Sequence, residues 1–158
     1  MNILVLCTGN SARSILLEAI VNDLGQGRVR AYSAGSQPAG AVNPHSLALL
    51  AEKGLPVDGY RSKSWDEFGG AEAAEMGAVI TVCGSAAAET CPIWPGAPVQ
   101  AHWGVEDPAA ASAAEAPAAF AQAYDILRRR AAAFLAQPIE TMDAPTLRAH
   151  LNVCGELP

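Results

Sequence analysis

The chain predicts an α/β fold, a three-layer sandwich in which a roughly four-stranded parallel sheet is flanked by helices. Three observations carry that reading. Ile3 to Cys7 is an unbroken apolar run, as a strand buried on both faces requires. Short apolar strands then alternate with helical stretches, which implies parallel pairing through right-handed crossovers. Finally, 158 residues, 51% hydrophobic and 16% charged, are enough for one sizeable core, so residues 1–158 are expected to form a single domain.

Each element has a local reason. After the first strand a Gly/Ser-containing turn leads into Ile15-Leu16-Leu17, Ala19-Ile20-Val21 and Leu24, a helix closed by Gly25 and Gly27. Arg28 to Ala34 supplies a short second strand ending at Gly35. A second helix fits Pro44 to Lys53, with proline in its first turn and Gly54 as its stop. Trp65 to about Met76 reads as a weaker helical stretch interrupted by Gly69-Gly70, and Ala78 to Val82 as a third buried strand. Cys83 to Pro98, rich in Pro, Gly and Ser, reads as a long loop with one helical turn. Val99 to Trp103 follows as a fourth strand. Ala109 to Ala136 then reads as one long alanine-rich helix with Pro117 in an early turn, and Ala144 to Val153 as a last short helix begun by Pro145.

Composition excludes several classes of function. A net charge of −6 without a basic stripe lacks the electrostatic footprint of nucleic-acid or anionic-membrane binding. The longest apolar runs are about six residues against the roughly 18 that span a bilayer, so no membrane helix is expected. Met1-Asn2 runs straight into the first strand without a basic leader, and a cytoplasmic location follows as the expectation. In a reducing compartment the four cysteines, Cys7, Cys83, Cys91 and Cys154, pose a question about reactive thiols rather than structural disulfides.

In such sheets ligands gather at the carboxyl ends of the strands, where Cys7, Gly35, Cys83 and His102-Trp103 fall. Cys7-Thr8-Gly9-Asn10-Ser11-Ala12-Arg13-Ser14 places a thiol at a strand end, then a loop, then Arg and Ser as a helix begins. Successive backbone N–H groups in such a loop can cup a tetrahedral oxyanion, and the helix N-terminus adds roughly half a positive charge. The same field can lower a cysteine from about 8.5 into the range of roughly 3.5–7.5, so Cys7 is expected to be a thiolate at neutral pH. Arg13 can grip two anion oxygens with its planar fork, and Ser14 can donate to the thiolate. An isolated Cys-x5-Arg fits a plain strand end and a solvated arginine equally well; its position between strand and helix, followed by serine, favours the anion site. Asn10 is expected to pin the loop internally through Ser33, with Glu18 structural.

At these residues the sequence resembles the low-molecular-weight protein tyrosine phosphatase fold family, and more closely its arsenate reductase branch. Tyr32-Ser33-Ala34-Gly35, Arg61-Ser62-Lys63-Ser64-Trp65, Val79-Ile80-Thr81-Val82-Cys83, Cys91-Pro92 and His102-Trp103-Gly104-x-x-Asp107-Pro108 extend the likeness over about residues 2–137, leaving 138–158 as a C-terminal extension. Asp107 resembles the family's general acid, a role that needs its carboxyl within hydrogen-bond reach of the leaving oxygen. Hydrolysing a phosphomonoester changes no oxidation state, whereas reducing arsenate to arsenite takes two electrons, which two thiols supply on becoming a disulfide. Cys83 and Cys91, eight residues apart, are placed in sequence to follow Cys7 in such a chain.

The resemblance thus implies attack on arsenate by Cys7, attack by Cys83 on Cys7 and by Cys91 on Cys83, and closure of the cycle by an external thiol reductant. Thioredoxin is the expected reductant, with glutathione or glutaredoxin as the alternative; phosphate and sulfate would compete with arsenate, and no bound cofactor is expected. No metal is expected either, since Cys-x7-Cys lacks the short knuckle and second ligand pair of structural zinc. Two other readings stay open: a tyrosine phosphatase, for which Ala109-Ala110 after Asp107-Pro108 offers no aromatic rim, and a noncatalytic thiol sensor or oxyanion-binding protein, which would not need both Arg13 and Asp107. Cys154 is read as a bystander, His45 as a capping or surface residue at a helix start, His150 as exposed, His102 as support for the site, and Arg128-Arg129-Arg130 as a solvated helix face. Trp65, Trp94 and Trp103 are read as packing residues, with Trp94 the one placed to meet a reductant.

Overall fold

The protein was analysed as a computed structural model that describes residues 1–88 and 94–158. Four strands, β1 (Asn2–Cys7), β2 (Arg30–Gly35), β3 (Ala78–Thr81) and β4 (Val99–His102), form one parallel sheet in the order β2-β1-β3-β4. The apolar run of β1 becomes a central strand: Ile3, Leu4, Val5 and Leu6 are all at most 1% exposed. Its alternate residues feed two cores. Ile3, Val5 and Cys7 pack with the helices on one face, and Leu4 and Leu6 pack with Met76, Val79 and Trp94 on the other. In register, Leu6 lies beside Ala34 of β2 and Thr81 of β3, so the ends of three strands come out side by side.

The helices are α1 (Arg13–Gly25), α2 (Pro44–Glu52), α3 (Gly84–Ala88), α4 (Ala116–Leu135) and α5 (Ala144–Gly155). Asn43 caps α2 by accepting from the His45 N–H, and Asp143 caps α5 by accepting from Thr146. The C-terminal extension is therefore folded. Leu147, Leu151 and Cys154 of α5 are buried, and the Leu151 carbonyl accepts the Trp103 indole N–H at 2.9 Å, fastening α5 to the end of β4.

Three boundaries depart from the sequence reading. The stretch Trp65 to Met76 is helical only as a 3-10 turn over Trp65–Phe68, capped by Ser64 and ended at Gly69, because the two glycines stop it. Ala109 to Ala136 is divided: a 3-10 turn covers Pro108–Ala110, and α4 begins only at Ala116. Pro117 lies in the first turn of α4, where its missing N–H needs no partner, while the alanines before it carry no signal of where a helix starts. The second strand begins at Arg30 rather than Arg28, which is drawn away by Glu140 and by the Leu135 and Gln137 carbonyls.

Candidate active site

Residues 8–12 cross from the end of β1 to the start of α1, and a cavity of about 150 Å³ is lined by Cys7, Thr8, Gly9, Asn10, Ser11, Ala12, Arg13, Asp107 and Ala109. Every loop residue singled out from the sequence except Ser14 lines it. Ser14 is fully buried behind the loop, where its hydroxyl accepts from Asn10 Nδ2 at 2.9 Å. Asn10 itself is left-handed (φ 47°) and completely buried, and its Oδ1 accepts the Lys63 N–H at 3.0 Å. Asn10 thus pins the loop through Ser14 and Lys63; the expected partner Ser33 instead donates to Glu18 at 2.8 Å. Burial holds the Glu18 carboxyl above its usual range and the Lys63 ammonium below its own, each drawing the other part of the way back.

Two further serines brace the loop from outside. Ser62 Oγ donates to the Gly9 carbonyl at 3.0 Å and Ser46 Oγ to the Ser11 carbonyl at 2.9 Å. Gly35, at the end of β2, lets the chains meet: a Cβ there would stand 2.3 Å from the Thr8 carbonyl oxygen and 2.9 Å from that of Cys7. Neither serine, nor the closeness at Gly35, was legible beforehand, because loop-bracing contacts leave no periodic pattern.

Arg13 uses Nη1 to donate to the Val105 carbonyl at 2.9 Å, and its Nη2 stands 3.7 Å from Asp107 Oδ2. Its buried Nε has no hydrogen-bond partner among the described residues. The Nε–Nη2 edge is thus a donor pair left for a two-oxygen anion, as a guanidinium fork requires. Asp107 accepts the Ala109 N–H on Oδ1 at 3.0 Å, capping its 3-10 turn, and keeps Oδ2 toward Arg13.

Cys83 follows β3 and arrives beside Cys7; both thiols are buried, and each bears on the other's ionisation. Cys83 Sγ also accepts the N–H of Thr8 at 3.3 Å and of Ala86 at 3.4 Å, with the Thr8 hydroxyl 3.5 Å away. With the Cys7 thiol as its strongest partner, this set of donors holds Cys83 down at about 4, although burial opposes it. Cys7 is driven the other way, above the ordinary thiol range, by the neighbouring Cys83 and by burial, against the pull of Arg13 and the Thr8 N–H. The expected Cys7 thiolate is therefore corrected: the pair shares one proton, and in this arrangement the negative charge rests on Cys83, which has more donors around it. Thr8 serves both roles, as loop residue and as partner of the second thiol.

A model of the low molecular weight phosphotyrosine protein phosphatase family matches residues 2–144. The chain belongs to this family. An arsenate reductase of Bacillus subtilis (strain 168) is 34% identical over 112 residues, 70% of this chain and 76% of that protein. An arsenate reductase solved in a phosphate-binding state aligns with TM-score 0.63 and 25% identity over 83% of this chain and 96% of its own. That of Archaeoglobus fulgidus gives 0.61 and 26% over 82% and 98%. The family match ends at residue 144, the first residue of α5, so the rest of that helix lies outside it.

The remaining sequence expectations divide. Cys91 lies outside the described residues. Cys154 is buried in α5, 3.9 Å from both ring nitrogens of His150, and burial raises its thiol. His150 is half-buried rather than exposed; it stacks on Phe134, with Nε2 3.0 Å from that residue's carbonyl. Nor is Arg130 solvated, being only 8% exposed. Trp94 is buried against Trp65, which removes it as a contact for a reductant. His102 lies outside the lining of the loop cavity, with Nδ1 2.8 Å from the Thr81 hydroxyl. Among the described residues no helix is long and apolar enough to cross a membrane.

Proposed function

We propose that the protein reduces arsenate to arsenite by a thiol relay. One observation carries this reading: a second thiol, Cys83, is seated against the loop, where its Sγ accepts the N–H of Thr8, the residue after the nucleophile Cys7, at 3.3 Å. Hydrolysis of a phosphomonoester has no use for that thiol. Among the described residues the lining of the loop cavity contains no aromatic ring to receive a phosphotyrosine, which also weighs against the phosphatase alternative.

In the reaction, loop amides and the Nε–Nη2 edge of Arg13 hold arsenate. The shared proton moves to Cys83, Cys7 attacks arsenic as thiolate, and Asp107 protonates the departing oxygen. Cys83, once more ionised, then attacks Cys7 Sγ; the S–As bond breaks with its electron pair going to arsenic, which leaves as arsenite, and a Cys7–Cys83 disulfide forms. Cys91 attacks Cys83 and releases Cys7 as a thiol. An external thiol reductant, thioredoxin in this reading and glutathione or glutaredoxin as the alternative, reduces the Cys83–Cys91 disulfide. Phosphate and sulfate, with the same tetrahedral shape, compete for the loop.

The test is arsenate-dependent oxidation of NADPH by the purified chain, coupled in parallel to thioredoxin with its reductase and to glutathione with glutaredoxin. Turnover with one system that disappears in Cys83→Ser supports the relay. Silence with both, together with rapid hydrolysis of an aryl phosphate, would establish the phosphatase instead.

A further inference from the structure

Arg130 is a charge that the relay does not use. It lies on α4, 8% exposed, and forms no ion pair among the described residues; burial, followed by repulsion from Arg129, lowers its pKa. Taking a guanidinium out of water is costly unless its donors are satisfied, and an apolar side chain of similar volume would fill such a place more easily. Its hydrogen bonds give the reason for its presence. Nε donates to the Leu157 carbonyl at 2.8 Å, just beyond α5, and Nη1 donates to the Gly104 carbonyl at 3.2 Å.

Gly104 opens the short turn between β4 and Asp107, and that turn is held from several sides. The Val105 N–H donates to the Val82 carbonyl at 3.3 Å, and the Val105 carbonyl receives Arg13 Nη1 at 2.9 Å. His102 packs on Gly104 so closely that a Cβ there would stand 2.7 Å from its Nε2. Trp103, one residue earlier, is tied to Leu151 of α5. A continuous set of hydrogen bonds therefore runs from the C-terminal segment through Arg130 and the Gly104–Val105 turn to the guanidinium that lines the anion cavity.

We infer that Arg130 is a positioning residue for oxyanion binding: with the C-terminal segment it holds the Gly104–Val105 turn, and through the Val105 carbonyl it fixes Arg13 with its Nε–Nη2 edge left for the anion. Leu157, like α5 after its first residue, lies beyond the family match, so half of the brace comes from outside the matched region. The inference rests on the oxyanion-binding reading of the loop and is independent of the thiol relay.

The experiment measures binding of inorganic phosphate to the reduced full-length chain by titration calorimetry, in wild type, Arg130→Met and Arg130→Lys, and in each of these with Arg13→Lys. The expected result is a phosphate Kd about tenfold weaker in Arg130→Met, the order of loss that displacing a positioned group brings. Arg130→Lys, which keeps the charge and one donor, recovers part of it. With Arg13→Lys present, Arg130→Met adds no further weakening, because the two residues act through one contact. A merely structural Arg130 would lower the melting temperature and leave Kd unchanged, or would weaken binding equally in both backgrounds; either result overturns the inference. Should Arg130→Met fail to fold, Arg130→Lys is read by the same criteria. Arg128→Met, at an exposed position next but one on α4, is the control that keeps wild-type affinity. A wild-type chain that does not bind phosphate overturns the oxyanion reading and this inference with it.

Discussion

Replacing Cys83 by alanine removes the strongest influence that keeps Cys7 protonated, and the consequence can be followed as a titration. In the wild type Cys83 is held down at about 4, so at pH 7 it is carried as the thiolate. One thiolate should accordingly be present well below neutrality, where an ordinary cysteine at about 8.5 is fully protonated. The ultraviolet absorbance of thiolate, followed against pH on the reduced protein, reads this directly. In Cys83→Ala the Cys83 thiolate is gone, and the thiolate that remains to be seen is that of Cys7. Cys7, left with burial against it and with Arg13 and the Thr8 N–H in its favour, should then titrate within the roughly 3.5–7.5 range of cysteines at helix N-termini. Alkylation of Cys7 at neutral pH becomes faster, while reduction of arsenate stops for want of the second thiol. A wild-type protein without any thiolate below about pH 8, or a variant in which Cys7 stays protonated at that pH, would refute the account of the shared proton.

Other expectations follow from single contacts. Asp107→Asn keeps the cap on its 3-10 turn but removes the acid, so kcat should fall by about 10²–10⁴-fold while phosphate still binds, as steady-state kinetics and calorimetry would show. Gly35→Ala sets a methyl group against the Thr8 and Cys7 carbonyls; a loss of about 1–3 kcal/mol is expected from overpacking, measured by denaturant unfolding, together with weaker phosphate binding. Trp103→Phe deletes the bond to Leu151 and should cost about 1 kcal/mol. In a domain of this size that lowers the melting temperature by about 2–4 °C, seen by scanning calorimetry.

The sequence revealed what periodicity and local chemistry encode. The continuous apolar run of β1 announced a central strand, and the order thiol, loop, arginine, serine announced an anion loop where strand gives way to helix. Boundaries written in alanine were not legible, since alanine favours helix at every position and only Pro117 marks where α4 can begin. Long-range polar contacts were equally silent. Nothing local distinguishes the buried Arg130 from the exposed Arg129 beside it, or shows that Asn10 would choose Ser14 and Lys63 over Ser33. The charge on the thiol pair was misread for the same reason: the loop argued for a Cys7 thiolate, but the deciding neighbour enters from a different strand 76 residues later.

That neighbour arrives through the parallel pairing of β1 with β3, and the pairing makes the chemistry sensitive to strand length. Leu6 opposite Thr81 fixes how far each chain runs before its thiol appears. One residue inserted into either strand would slide that thiol by about 3.3 Å and turn it to the opposite face of the sheet. Single-residue insertions between Asn2 and Cys7 or between Ala78 and Cys83 should therefore uncouple the two sulfurs even where the fold survives. The sheet acts as a ruler for the meeting of Cys7 and Cys83, and its graduations are single peptide units.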